Sequence, residues 1–322
     1  MDVLLIGLGR WGERHFRVLR QLGVRLWVAD VSPTRLEWAI RNGVEPDRAV
    51  GDYRTALAHV AAADVVTPAD THWTVARDCL SAGLSCFVEK PLTRTLEEGH
   101  ALVAMAHACG RLVQVGHIFR FHPVTATLRE ALRRGAIGQV RYATGRFSGF
   151  KRPRTDVGVT QTDAIHYVDL FAHLFNRDAT SVSAVQRDFL GRGLDDVSWT
   201  IVHYGEIPAV IEASYFAPGA WRDCVIVGER GALVADYGAS VVTLHLGQHL
   251  DRGGAWEAVE TGKEELATGR EEPLRLELQA FLSACAGHLP NLVPASDGVR
   301  ALAVIEAAAR SARLGRAVEV GP

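Results

Sequence analysis

Net charge is nearly absent from this sequence. Its 35 Lys and Arg stand against 37 Asp and Glu, a formal net charge of −2 over 322 residues. That balance excludes a general attraction for nucleic acid or for an anionic membrane surface. Cysteine is sparse too: Cys79, Cys86, Cys109, Cys224 and Cys285 are odd in number, widely spaced and free of any CxxC pair. A disulfide framework and a structural zinc site are thereby excluded, and reduced, buried thiols of a cytoplasmic protein are expected. No apolar run approaches the ~20 residues that a membrane helix needs. The chain opens directly on an apolar run and a glycine turn, so no signal peptide is expected. Repeats, low-complexity stretches and long linkers are missing as well. His117, His122 and His173 have no metal-ligand spacing to a partner acid, so no metal site is expected.

What is present is material for two ordinary domains. Hydrophobic residues make up 48% of the chain, enough for two cores. In the first third, short apolar runs at 3–6, 24–29, 64–67, 84–88 and 112–115 alternate with helical patterns. Ser32 with Pro33 opens one helix and Gly43 closes it; Thr95 and Glu98 have capping-box spacing ahead of another that Gly110 ends. This alternation predicts a doubly wound parallel sheet over residues 1–118. Residues 119–322 read differently, as an α+β domain with a large, mostly antiparallel sheet. A helix over 123–134 and a strand over 139–147 come first, then an apolar helix from about residue 165. Strands follow at 181–186, 197–203, 209–215, 224–227, 232–236 and 241–246, and late helices at 273–288 and 298–314. The Gly- and Glu-rich segment 247–272 is expected to be loose. So many strands with few covering helices leave one sheet face in need of burial, which predicts a homodimer or a homotetramer built from dimers.

Gly7-Leu8-Gly9-Arg10-Trp11-Gly12 matches GxGxxG between the first strand and an amphipathic helix. The first glycine permits a tight turn, the second lets backbone approach a pyrophosphate, and the third lets the helix pack closely on the strand. Asp30 ends the second strand 18 residues after Gly12, where a carboxylate accepts from the ribose hydroxyls of NAD and repels the 2′-phosphate of NADP. Arg35 lies close enough to weaken that preference.

Beyond these features, Thr67-Pro68, His72, Glu89-Lys90-Pro91 and Phe119-Arg120-Phe121-His122-Pro123 fall in the order seen in one family. So do Gly135-Ala136-Ile137-Gly138 and the stretch from Ser296-Asp297-Gly298 to Ala317-Val318. Over essentially its whole length the chain resembles the Gfo/Idh/MocA oxidoreductases of sugars and cyclitols. The resemblance implies that Arg10, Trp11, Thr67, Pro68, His72 and Glu89 line NAD with the glycines, and that Arg120 lies near its nicotinamide end. It also implies that Lys90 sits beside the reacting hydroxyl. A lysine at the carboxyl end of a parallel strand agrees, because it points into the crevice where ligands bind.

The second-domain motif runs Thr162-Asp163-Ala164-Ile165-His166. The family has an acid four residues before a catalytic histidine. Here His166 matches, Thr162 holds the acid's position, and Asp163 is one residue late. On a helix both neighbour His166, so either Asp163 orients the ring or Thr162 meets the substrate. Upstream, Lys151-Arg152-Pro153-Arg154 is similar to the basic loops of family members acting on nucleotide-linked amino sugars. Arg152 and Arg154 therefore either grip a diphosphate or form a solvated loop. The expected activity is NAD-dependent oxidation or reduction at a CH–OH carbon of a nucleotide-linked sugar, with Lys90, His166 and Asp163 as the catalytic residues. The alternatives are a free-sugar or inositol dehydrogenase, and an NAD-binding sensor without turnover.

Overall fold

The alternation of apolar runs with capped helices builds a six-stranded parallel sheet, described here from a computed structural model that covers residues 1–321. Its strands are β1 (Asp2–Ile6), β2 (Arg25–Ala29), β3 (Ala49–Val50), β4 (Ala62–Val65), β5 (Ser85–Glu89) and β6 (Val113–Gly116). They lie in the order β3-β2-β1-β4-β5-β6, the doubly wound order whose direction reverses between β1 and β4. The linking helices include α1 (Gly12–Gln21), α2 (Pro33–Arg41), α3 (His72–Ser81) and α4 (Leu96–Ala108). The capping box forms: Thr95 accepts from the Glu98 N–H, and Glu98 accepts from the Thr95 N–H. Ser32 occupies the N-cap of α2, but its hydroxyl meets that of Thr34 rather than a backbone N–H.

The second sheet has nine strands: β7 (Val140–Gly149), β8 (Ser181–Arg187), β9 (Val197–Tyr204), β10 (Ile207–Ser214), β11 (Ala220–Gly228), β12 (Gly231–Asp236), β13 (Val241–Asp251), β14 (Trp256–Leu266) and β15 (Val318–Glu319). Only the β7–β10 pair is parallel. Helices α5 (Pro123–Arg133) and α6 (Ile165–Phe175) belong to the same unit as this sheet. The inward face is apolar, with Ala143, Ile211, Ile226, Leu233 and Val242 buried. Outward, Ile201, Val210, Thr144, Val225 and Val234 sit opposite one another on successive strands, and Trp199 and Tyr142 are also exposed.

Two compact units result, Met1–Ile118 with Glu272–Leu302, and Phe119–Glu271 with the chain from Ala303 onward. The segment Glu272–Leu302, read from sequence as part of the second domain, thus belongs to the first unit. The reason is its apolar stripe. Leu274, Leu278 and Phe281 of α7 (Pro273–Cys285) bury themselves with Phe16, Leu19 and Phe87. Segment 247–272 corrects a second expectation. Most of it is the long hairpin of β13 and β14 rather than a loose loop. Because β14 is exposed along nearly its whole length, it lacks the alternation of a half-buried strand. Cys109 is exposed, against the expectation of buried thiols; Cys79, Cys86 and Cys224 are buried.

Candidate functional site

In the first unit the chain leaves β1 into the glycine turn at the point where strand order reverses. Gly7 has φ +97°, and a Cβ there would lie 2.6 Å from the carbonyl oxygen of Val66. A Cβ on Gly12 would stand 2.0 Å from the carbonyl oxygen of Gly7, so neither position accepts a side chain. Gly9 differs: a Cβ there would meet nothing within 4 Å. The turn is closed by its own backbone at the outer glycines and open at the middle one, as an approaching pyrophosphate requires. The N-cap of α1, Trp11, supplies no side-chain cap; the N–H groups of Glu13 and Arg14 donate to the carbonyls of Gly9 and Trp11, and the helix N-terminus with its positive dipole end lies at the glycine turn. Asp30 accepts from the N–H of Leu8 at 2.7 Å and of Ser32 at 2.9 Å, which holds its carboxylate at the end of β2. Arg35 spends its guanidinium on the Leu8 carbonyl and on Glu13. These residues fit a dinucleotide, with Arg10 exposed beside the turn.

Below the turn lies a buried group of charges. His15 of α1 is fully buried, with Nδ1 2.8 Å from Oδ2 of Asp64 in β4 and Nε2 3.2 Å from Oε1 of Glu89 in β5. The same Glu89 oxygen accepts from Trp11 Nε1 at 2.8 Å, and Glu89 Oε2 accepts from the Lys90 N–H at 3.1 Å. Burial by itself would lower the pKa of His15, but Asp64 and then Glu89 outweigh it and raise it to about 10. Burial pushes Asp64 up against the pull of His15. Glu89 is held below the usual range because His15, Lys90 and Trp11 overcome its own burial. His72, expected to line the cofactor, is buried, its ring nitrogens 2.8 Å from the Pro91 carbonyl and 2.9 Å from that of Thr67. It braces the two turns that carry Thr67-Pro68 and Lys90-Pro91.

In the second unit His166 is 6% exposed and packed in a cluster with two rings that also touch each other. Phe119 and Phe147 stack on it, each with its ring centroid 4.9 Å away. The residues before it, Thr160–Ala164, form a π-helical turn leading into α6, an irregularity often found at functional sites. Within that turn Asp163 meets Lys151 Nζ at 2.5 Å, and Thr162 Oγ1 lies 2.9 Å from the Tyr215 hydroxyl. Lys151 also sits over the rings of Phe147 and Tyr215, and Arg222 lies 3.5 Å from the centroid of Phe147. Burial lowers the pKa of Lys151, with Asp163 opposing, and burial raises that of Tyr215. Arg154 is bound to Asp156 through both ends of its guanidinium, while Arg152 is exposed. Arg120 makes a double contact with Asp169 inside this unit, so its charge serves an internal pair.

Sequence reading passed over Phe147, Tyr215 and Arg222 as site residues and took Lys151 only as part of the basic loop; strand pairing is what sets Phe147 of β7 opposite Arg222 of β11. It also passed over the His15–Asp64 pair. There one signal existed, an acid inside an otherwise apolar central strand. Among the described residues no group of three or more His, Cys, Asp or Glu could hold a metal ion, and no helix is long and apolar enough to cross a membrane.

Two family models match the chain: the NAD-binding Rossmann fold of an oxidoreductase family over residues 1–117, and the C-terminal alpha/beta domain of that family over 129–320. UDP-N-acetylglucosamine 3-dehydrogenase of Acidithiobacillus ferrooxidans is 30% identical over 302 residues, which cover 93% of each chain. A solved structure of that enzyme has a TM-score of 0.85 at 25% identity and covers 98% of both chains. Inositol 2-dehydrogenase of Rhizobium meliloti is 25% identical over 98% of each chain.

Proposed function

The chain belongs to the Gfo/Idh/MocA family of NAD-binding oxidoreductases, and on that premise we propose that it oxidises or reduces a CH–OH carbon of a nucleotide-linked sugar. The observation that carries the substrate class is the 30% identity, over 93% of both chains, to an enzyme of UDP-N-acetylglucosamine. Bound NAD supplies the electron-pair chemistry at its nicotinamide ring. The chain's own side chains bind, orient and move the proton. Lys90, following a buried carboxylate at the end of β5, holds the reacting oxygen and offsets charge that develops on it. His166 takes or returns the hydroxyl proton. Stacking by Phe119 and Phe147 holds the plane of its ring. Asp163 is charge-matched by Lys151, so Lys151 joins the polar wall around His166, with Thr162 held by Tyr215.

A second reading, a free-sugar or inositol dehydrogenase, has its own support. Arg154 already serves Asp156, which weakens the basic loop as a diphosphate grip, and an inositol dehydrogenase aligns over 98% of the chain. NADH formation with UDP-N-acetylglucosamine, UDP-glucose, N-acetylglucosamine and myo-inositol separates the two. Turnover confined to the UDP-sugars is expected; a higher kcat/KM on either free compound overturns the nucleotide-sugar reading. The proposal includes a second copy of the chain seated on the exposed row of Ile201, Val210 and Val234. Light scattering at micromolar concentration is expected to give at least a dimer, and a monomeric mass overturns that part.

A further inference from the structure

We propose that His15 and Asp64 are positioning residues for Lys90, acting through Glu89. Asp64 holds one ring nitrogen of His15 at 2.8 Å, and the other lies 3.2 Å from Oε1 of Glu89. One nitrogen is hydrogen-bonded to a carboxylate and the other lies within ion-pair distance of a second, an arrangement of two carboxylates around one ring that favours an imidazolium. Glu89 is constrained on every side. Trp11 donates to Oε1, the Lys90 N–H is received by Oε2, and a Cβ on Gly116 would lie 2.9 Å from Oε1. The backbone of β6 therefore closes over the carboxylate and leaves it little room for another rotamer.

The consequence is a chain of contacts from a central strand to the start of the lysine's own residue. Through Trp11, the same carboxylate also ties the glycine turn to the Lys90 turn. Stability alone is a poor reason for such a cluster, because well-packed apolar side chains fill an interior as well or better. Removing the imidazolium leaves Asp64 and Glu89 buried without the charge between them, so one of them must shift or take up a proton. A shift of Glu89 moves the oxygen that receives the Lys90 N–H, and its neutralisation removes a negative charge beside the Lys90 ammonium. This inference rests on the reading of Lys90 as the residue at the reacting oxygen, but its test needs neither substrate nor turnover.

The chain has three lysines, Lys90, Lys151 and Lys263, so reductive methylation with a carbon-13 label gives few signals to assign. In ¹⁵N-histidine-labelled parent protein near pH 8, both ring nitrogens of His15 are expected at protonated shifts. In His15→Gln the methylated Lys90 signal is expected to move its titration midpoint by about half a pH unit or more, while those of Lys151 and Lys263 stay. A merely structural role lowers stability and leaves the Lys90 titration where it was. An unchanged Lys90 titration in His15→Gln, or a neutral His15 ring in the parent, overturns the proposal. Asp64→Asn repeats the comparison if His15→Gln does not fold, and the parent spectrum decides if neither does. Absence of turnover on UDP-N-acetylglucosamine, with these signals as expected, removes the substrate reading and leaves the positioning role standing.

Discussion

The two units handle a buried histidine in opposite ways. His15 lies in the parallel-sheet unit with a carboxylate at each ring nitrogen, and those charges raise its pKa to about 10. His166 lies in the nine-stranded unit against two phenylalanine rings, and its nearby acid Asp163 is matched by Lys151 instead. One environment locks a proton in place, and the other holds a ring in plane by packing. A pKa near 10 keeps the His15 proton fixed at neutral pH, which suits it to holding its neighbours in place and not to general acid–base work.

The largest expected effect tests that division directly. His166→Asn and Lys90→Met should each lower kcat by roughly 10²–10⁴ while NAD affinity, read by NADH fluorescence, stays nearly intact. Loss of NAD binding in either variant, or full activity in His166→Asn, would erase the contrast between the units. A smaller effect sharpens it through pH. His15 has a folded pKa raised to about 10, so its stabilisation is fully present below the unfolded value and is lost as pH rises through about 10. In the second unit, burial lowers His122 to about 4, with a Tyr237 contact opposing. Its neutral Nδ1 accepts the Val124 N–H at the start of α5, an acceptor that protonation abolishes. The stabilisation from His122 is present above its unfolded pKa and lost as pH falls through about 4. With solvent screening, it amounts to about 1–2 kcal/mol. Thermal melts across pH check both limbs: His15→Gln should flatten the alkaline fall, and His122→Asn the acid one. Melts of either variant that parallel the parent at every pH would remove that histidine from the account.

Local motifs made the first unit legible. A glycine turn, Asp30 and the Glu89-Lys90 pair work through neighbours in the chain, and strand–helix alternation orders them. The glycines prove this at the atomic level, since Gly7 and Gly12 face backbone oxygens that any side chain would strike. The setting of His72 was not legible, because its partners, the carbonyls of Thr67 and Pro91, leave no trace in side-chain pattern. In the second unit the position of His166 could be read, but its surroundings could not. Phe147 and Arg222 meet because β7 and β11 pair antiparallel, with Phe147 opposite Arg222.

By itself, then, the sequence determined the two sheet types, the NAD turn and the family, because periodicity, glycine geometry and short motifs act over a few residues. Tertiary structure decided which charges meet. Asp163 took Lys151, Arg154 took Asp156, Arg120 took Asp169, and His15 took Asp64 and Glu89. The physical reason is that an ion pair forms over a few ångströms of space, and only the packed strands and helices set that distance.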